Sequence, residues 1–199
     1  MEQKQQLLQT IPRLVAIGGS AGSLAMVLKI LPHLNVTLQI PVVAVFHRKS
    51  SGNTTLIEVL STRTGFEVSE IEDKGSISPN VFYVAPADYH VLIEKDYSFT
   101  LDDSEKVNYS RPSIDVTFES AADAYGENLT CILLSGANAD GVNGLKRARQ
   151  KGACIIVQDP AFAQVPYMPQ QAVLQLTPDY ILRPDNVQTI IAAISRIAR

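Results

Sequence analysis

The sequence predicts a doubly wound α/β domain: a mostly parallel sheet with helices on both faces and one antiparallel hairpin. Short runs rich in Val, Ile and Leu alternate with longer amphipathic stretches, the pattern of parallel strands joined by crossover helices. The middle third breaks that rhythm with short strand candidates separated by polar turns, which predicts a hairpin. With 199 residues, 46% of them hydrophobic, the chain can bury one sizeable core.

Residues 14–17 form the first predicted strand. It runs into Gly18-Gly19-Ser20-Ala21-Gly22-Ser23, after which Leu24, Val27, Leu28 and Leu31 recur at helical spacing until Pro32. Residues 41–46 are a second strand ending at His47, and 54–63 a helix that Gly65 is expected to terminate through a left-handed cap. Residues 81–85, 91–94 and 98–101 are the short strands of the hairpin region. A helix is predicted over 114–124, a buried strand over 130–134 and a helix over 141–150, with Asp140 in the loop between the last two. A strand at 153–157, a short helix at 168–174, a brief strand at 180–182 and an amphipathic helix at 187–197 complete the order.

Composition removes several function classes. Charged residues make up 19%, the net charge is −3 and no basic run stands out, so neither nucleic acid nor an anionic membrane is an expected partner. Residues 1–12 are expected to be an N-terminal extension without signal character. No apolar stretch reaches membrane-spanning length, and a cytoplasmic location is expected. The two cysteines, Cys131 and Cys154, lie inside apolar runs and are expected to be reduced.

In open α/β sheets the loops beyond the carboxyl ends of the strands form the ligand site. Three such loops carry Ser20, His47 and Asp140: a nucleophile, a base and a carboxylate able to orient the base. Each has a plainer reading alone. The glycine turn serves equally as a tight connection or a phosphate loop, a strand-end histidine as a packing residue, and Asp140 as the N-cap of the helix that follows. Only their coincidence points to catalysis. Position 20 breaks G-x-G-x-x-G, no Gly-Lys-Ser/Thr follows, and the chain order Ser, His, Asp departs from that of α/β-hydrolases. A nucleotide-binding Rossmann-like domain remains as a reading supported only by the first turn.

Longer segments resemble the catalytic domain of the CheB-type protein-glutamate methylesterases, over roughly residues 14–193. They are Ile17-Gly18-Gly19-Ser20-Ala21-Gly22, Val45-Phe46-His47, residues 75–90 (GSISPNVFYVAPADYH), Arg111-Pro112-Ser113-Ile114-Asp115-Val116-Thr117-Phe118, residues 133–141 (LLSGANADG), and Met168-Pro169-Gln170-Gln171-Ala172. The resemblance implies a Rossmann-like catalytic domain over 13–199 that hydrolyses glutamyl methyl esters on the cytoplasmic helices of chemoreceptors, with glutamine deamidation in some members. It implies Ser20 as nucleophile, His47 as general base, Asp140 as its orienting partner, and backbone near Ser20 and Ala21 for the oxyanion. No metal and no cofactor are implied. Family members commonly carry a phosphoacceptor receiver domain, so a phosphorelay, with a separate receiver or methyltransferase as partner, is part of the expectation.

Departures fall around the site. Ala21 stands where Thr is usual, Phe46 for Gln, Ala137 for Met and Ser110 for His, and Arg48-Lys49-Ser50-Ser51 replaces a Met-Pro stretch and makes that wall more basic. These leave open a second reading, a catalytically weakened binding or regulatory module on the same fold.

Overall fold

The structure, a computed structural model, describes residues 13–34, 39–48 and 53–197. The N-terminal extension expected over 1–12 and the Lys49-Ser50-Ser51 part of the wall expected to be more basic lie outside the described residues.

β1 (Leu14–Gly19) is the sheet's central strand. It pairs in parallel with β2 (Val42–Phe46) on one side and with β7 (Leu129–Leu133) on the other. With β3 (Glu67–Glu70), β4 (Val81–Val84), β8 (Cys154–Gln158) and β9 (Tyr180–Leu182) the order is β3-β4-β2-β1-β7-β8-β9, parallel throughout. Chain direction across the sheet reverses at β1, so the crevice above β1 and its neighbours is the topological switch point where such folds bind ligands.

Alternating strand residues feed two cores, which is why the strands read as unbroken apolar runs. Ala16, Val43, Val45, Cys131, Leu133, Ile155 and Val157 pack on one side with α3 (Ile114–Tyr125), α4 (Val142–Gln150) and α5 (Tyr167–Gln175). Val15, Ile17, Ala44, Phe46, Ile132 and Ile156 pack on the other with α1 (Leu24–Ile30) and α6 (Val187–Ile197), and α2 (Asn53–Ser61) lies against β3. The hairpin exists as β5 (His90–Ile93) and β6 (Phe99–Asp102), antiparallel, with Val91, Ile93 and Phe99 added to the α3 side of the core.

Three expectations are corrected. Residues 81–85 do not belong to the hairpin region: β4 is a parallel strand of the main sheet. Its crossover from β3 contains no helix, so the usual alternation was missing. β3 itself went unread because an edge strand of sequence Glu-Val-Ser-Glu is only partly covered and shows no apolar run. α2 ends at Ser61, not Arg63, and Gly65 is absent from the glycines with positive φ. The last turn tightens instead, the Arg63 N–H donating to Leu60 O at 2.9 Å, while Ser61 Oγ donates to Ile57 O and Thr62 Oγ1 to Val59 O, each at 2.8 Å.

Candidate active site

The register of the central strands brings two of the three predicted residues side by side. Gly19 is paired with Phe46, and the His47 N–H donates to the Gly19 carbonyl at 3.3 Å, so Ser20 and His47 leave adjacent strands at the same level. From the other side the Ser20 N–H donates to Ser135 O at 2.8 Å, fixing the loop to the end of β7. Ser23, itself buried, donates its hydroxyl to the Ser20 carbonyl at 2.7 Å and closes the turn. The tightness requires glycine at position 22: φ is +78°, and a Cβ there would lie 2.6 Å from Gln164 Cβ.

This bonding corrects one detail of the oxyanion expectation. The Ser20 N–H is already committed to Ser135. Among the described residues the N–H groups of Ala21 and Gly22 have no acceptor, so these are the loop's available donors.

His47 is mostly covered, its side chain 14% exposed, and its Nε2 lies 2.7 Å from Asp140 Oδ2. Asp140 is fully buried and accepts five hydrogen bonds: His47 Nε2 and the Ile114 N–H on Oδ2, and the Ser113 hydroxyl, the Asp115 N–H and Asn108 Nδ2 on Oδ1. The plainer reading of Asp140 as cap of the following helix is therefore wrong in an informative way. Gly141, left-handed at φ +94°, is the N-cap of α4, whereas Asp140 satisfies the orphan N–H groups at the start of α3.

Burial pushes the Asp140 carboxyl up, but the hydrogen bonds from His47, Ile114 and Ser113 and the His47 charge outweigh it, and the group stays below its ordinary value. An ionised Asp140 accepts a proton-bearing Nε2. That leaves Nδ1 as the basic nitrogen.

Nδ1 does not meet Ser20 in this arrangement. Its neighbour is the Ser110 hydroxyl at 3.3 Å, which Asn138 Nδ2 approaches at 3.2 Å. Among the described residues the Ser20 hydroxyl makes no hydrogen bond to His47. Ser110 sits on a tight turn in which Val107 and Ser110 exchange backbone hydrogen bonds of 3.2 and 2.9 Å, with Asn108 and Tyr109 at positive φ.

Sequence reading missed the supporting carboxylate, Asp115. It is 4% exposed and accepts from the Gly144 N–H at 2.7 Å and from Asn108 Nδ2 at 2.9 Å. Burial first, and then the charge of Asp140, raise its carboxyl above the ordinary value. The Arg111 to Phe118 segment held the signal, but nothing there showed that Asn108 would bridge it to Asp140.

His90 and Arg111 organise the chain. His90, 1% exposed, accepts the Ser113 N–H on Nδ1 at 3.1 Å and through Nε2 donates to Glu105 O at 3.0 Å. Arg111 Nη1 donates to the carbonyls of Asp103 and Ser104. Arg48, expected to make the wall more basic, turns inward, donating to Glu70 Oε2 at 2.6 Å and to Ala85 O at 2.7 Å. Both cysteines are free thiols; burial raises Cys131 well above, and Cys154 to about 11 from, the ordinary value. Among the described residues no group of three His, Cys, Asp or Glu side chains could hold a metal ion, and no helix is long and apolar enough to cross a membrane.

Comparison with known proteins agrees with this architecture. A family model described as CheB methylesterase matches residues 15–191. A putative protein-glutamate methylesterase/protein-glutamine glutaminase of Leptospira interrogans is 39% identical over 173 residues, covering 87% of this chain and 90% of that protein. The Hahella chejuensis protein-glutamate methylesterase/protein-glutamine glutaminase 1 is 33% identical over 198 residues, and the chain spans 54% of its length. The crystal structure of the Thermotoga maritima CheB methylesterase catalytic domain superposes with a TM-score of 0.87 at 27% identity, covering 92% of this chain and 98% of that one.

Proposed function

The chain belongs to the CheB methylesterase family, and from that premise we propose that it hydrolyses glutamyl methyl esters of chemoreceptors with Ser20, His47 and Asp140 as its catalytic residues. The observation that carries this reading is the His47–Asp140 pair of 2.7 Å, set one strand from Ser20 by the β1–β2 register. Carboxylic ester hydrolysis is the chemistry such a set performs. Ser20 Oγ attacks the ester carbonyl while Nδ1 of His47 takes its proton, and the ionised Asp140 stabilises the imidazolium. The tetrahedral oxyanion forms beside the Ala21 and Gly22 N–H groups. Collapse breaks the bond to the methoxy oxygen, which leaves as methanol with the proton from His47. Water, deprotonated by the same nitrogen, then cleaves the acyl-serine and releases the glutamate carboxylate. Replacing the methyl ester by a glutamine amide changes only the leaving group, from methanol to ammonia. Chemoreceptor helices as substrate fit a cytoplasmic site of action, as do the two free thiols.

One observation favours a second reading, a weakened module that binds the receptor without useful turnover: the Ser110 hydroxyl occupies the base nitrogen. Methanol release from methylated chemoreceptor membranes, by the wild type and by Ser20→Ala, His47→Ala and Asp140→Asn, separates the two. Turnover by the wild type alone supports the hydrolase. A wild type as inactive as its variants on several receptors, yet binding them, supports the module.

A further inference from the structure

Beside the catalytic dyad lies a cleft of about 440 Å³ formed by the loops that follow β2, β4 and β6. Its lining is cationic. Arg48, Lys106 and Arg111 line it, His47 forms part of its wall, and Asp88 is its one carboxylate.

Along the lining itself three cations stand against one carboxylate. Glu70 offsets Arg48, and Arg111, oriented by two backbone carbonyls, also feels the Asp102 carboxylate. Lys106 has no ion pair among the described residues. Both guanidinium groups also keep buried N–H donors without acceptors, Nε and Nη1 of Arg48 and Nε of Arg111. A lining with an unpaired lysine and two guanidinium groups against one carboxylate favours an anion, and the planar guanidinium geometry matches a carboxylate.

We propose that this cleft is a carboxylate subsite, taking an acidic side chain that flanks the reacting glutamyl ester in the protein substrate. The proposal rests on the assignment of ester hydrolysis to Ser20, His47 and Asp140, and it adds what that assignment does not contain: a charge requirement on the residue next to the ester. The cleft shares a wall with the catalytic histidine, so a carboxylate held there places the neighbouring ester at the dyad. Tyr109, 98% exposed on the adjoining turn, offers an aromatic face to the apolar stem of the same side chain.

The test uses two synthetic peptides identical except for Glu or Gln beside a single glutamyl methyl ester. Affinity for the Ser20→Ala protein is read by fluorescence anisotropy at low and high ionic strength, and kcat/KM is read with the wild type. The Glu peptide is expected to bind about five- to tenfold more tightly at low ionic strength, with the advantage shrinking as salt rises. Lys106→Gln is expected to erase most of the preference while both peptides still bind. Equal affinity for the two peptides overturns the subsite, and so does a preference that survives in Lys106→Gln and is insensitive to salt. Binding preference without wild-type turnover removes the hydrolase assignment and leaves the subsite standing; turnover of both peptides with equal kcat/KM removes the subsite alone.

Discussion

The Ser110 hydroxyl lies 3.3 Å from Nδ1 of His47, the ring nitrogen that the bond to Asp140 leaves free. In the proposed mechanism a hydroxyl so placed competes with Ser20 for His47. Removing it in Ser110→Ala is expected to raise kcat about two- to fivefold, the worth of one neutral hydrogen bond of roughly 0.5–1 kcal/mol. Methanol release under saturating substrate measures it. A tenfold loss instead would show that Ser110 supports the ring rather than competes for it.

Asp140 joins two tasks, since the same carboxylate orients His47 and caps α3. Asp140→Asn turns a donor toward groups that themselves donate. Turnover is expected to fall by about three to four orders of magnitude. Because buried charge-assisted bonds are lost, stability should fall by about 2–4 kcal/mol, lowering Tm by roughly 5–10 °C in a chain of this size. An unchanged Tm would separate the two tasks.

Asp140 and Asp115 are shifted in opposite directions, so their contributions to stability slope oppositely with pH. The lowered Asp140 stabilises the fold above the unfolded-state value of about 4, and this contribution is lost as pH falls through the folded value below it. The raised Asp115 holds its proton in the folded state above that unfolded value, so its burial opposes folding increasingly as pH rises toward the raised value. Urea midpoints across the acid range should show the deficit of Asp140→Asn shrinking toward low pH and that of Asp115→Asn shrinking toward neutral pH. Parallel slopes for the two variants would contradict the assignment.

Gly141 positions the Asp140 carboxylate from the next residue along. At φ +94°, where a Cβ would lie 2.6 Å from Leu133 Cδ1 and 2.8 Å from Ile114 Cγ2, alanine is both strained and overpacked. Gly141→Ala is expected to destabilise by about 2–5 kcal/mol, summing left-handed strain and a crowded core. Denaturant unfolding would report it, and a variant within 0.5 kcal/mol of wild type, about the spread of a neutral surface change, would show that the loop adjusts freely.

Much of the fold was legible because its central strands are covered on both faces. Residues 42–46 and 129–133 are buried throughout, so burial itself wrote the apolar runs that identify them. The edge strand β3 left no such record, and β4 was misplaced because a crossover without a helix looks locally like a hairpin connection. Ser20, His47 and Asp140 were legible by position, since strand ends in a parallel sheet converge.

From the sequence alone came the α/β class, the residue types at the three strand ends and the family resemblance, all written in local pattern and spacing. Tertiary structure alone decided which imidazole nitrogen faces Asp140, that Asp140 caps α3 rather than α4, that the Ser20 N–H is spent on Ser135, and that Ser110, 63 residues from His47, covers its basic nitrogen. Such contacts join groups distant in the chain through single hydrogen bonds whose direction depends on side-chain rotation, and neither periodicity nor spacing encodes that.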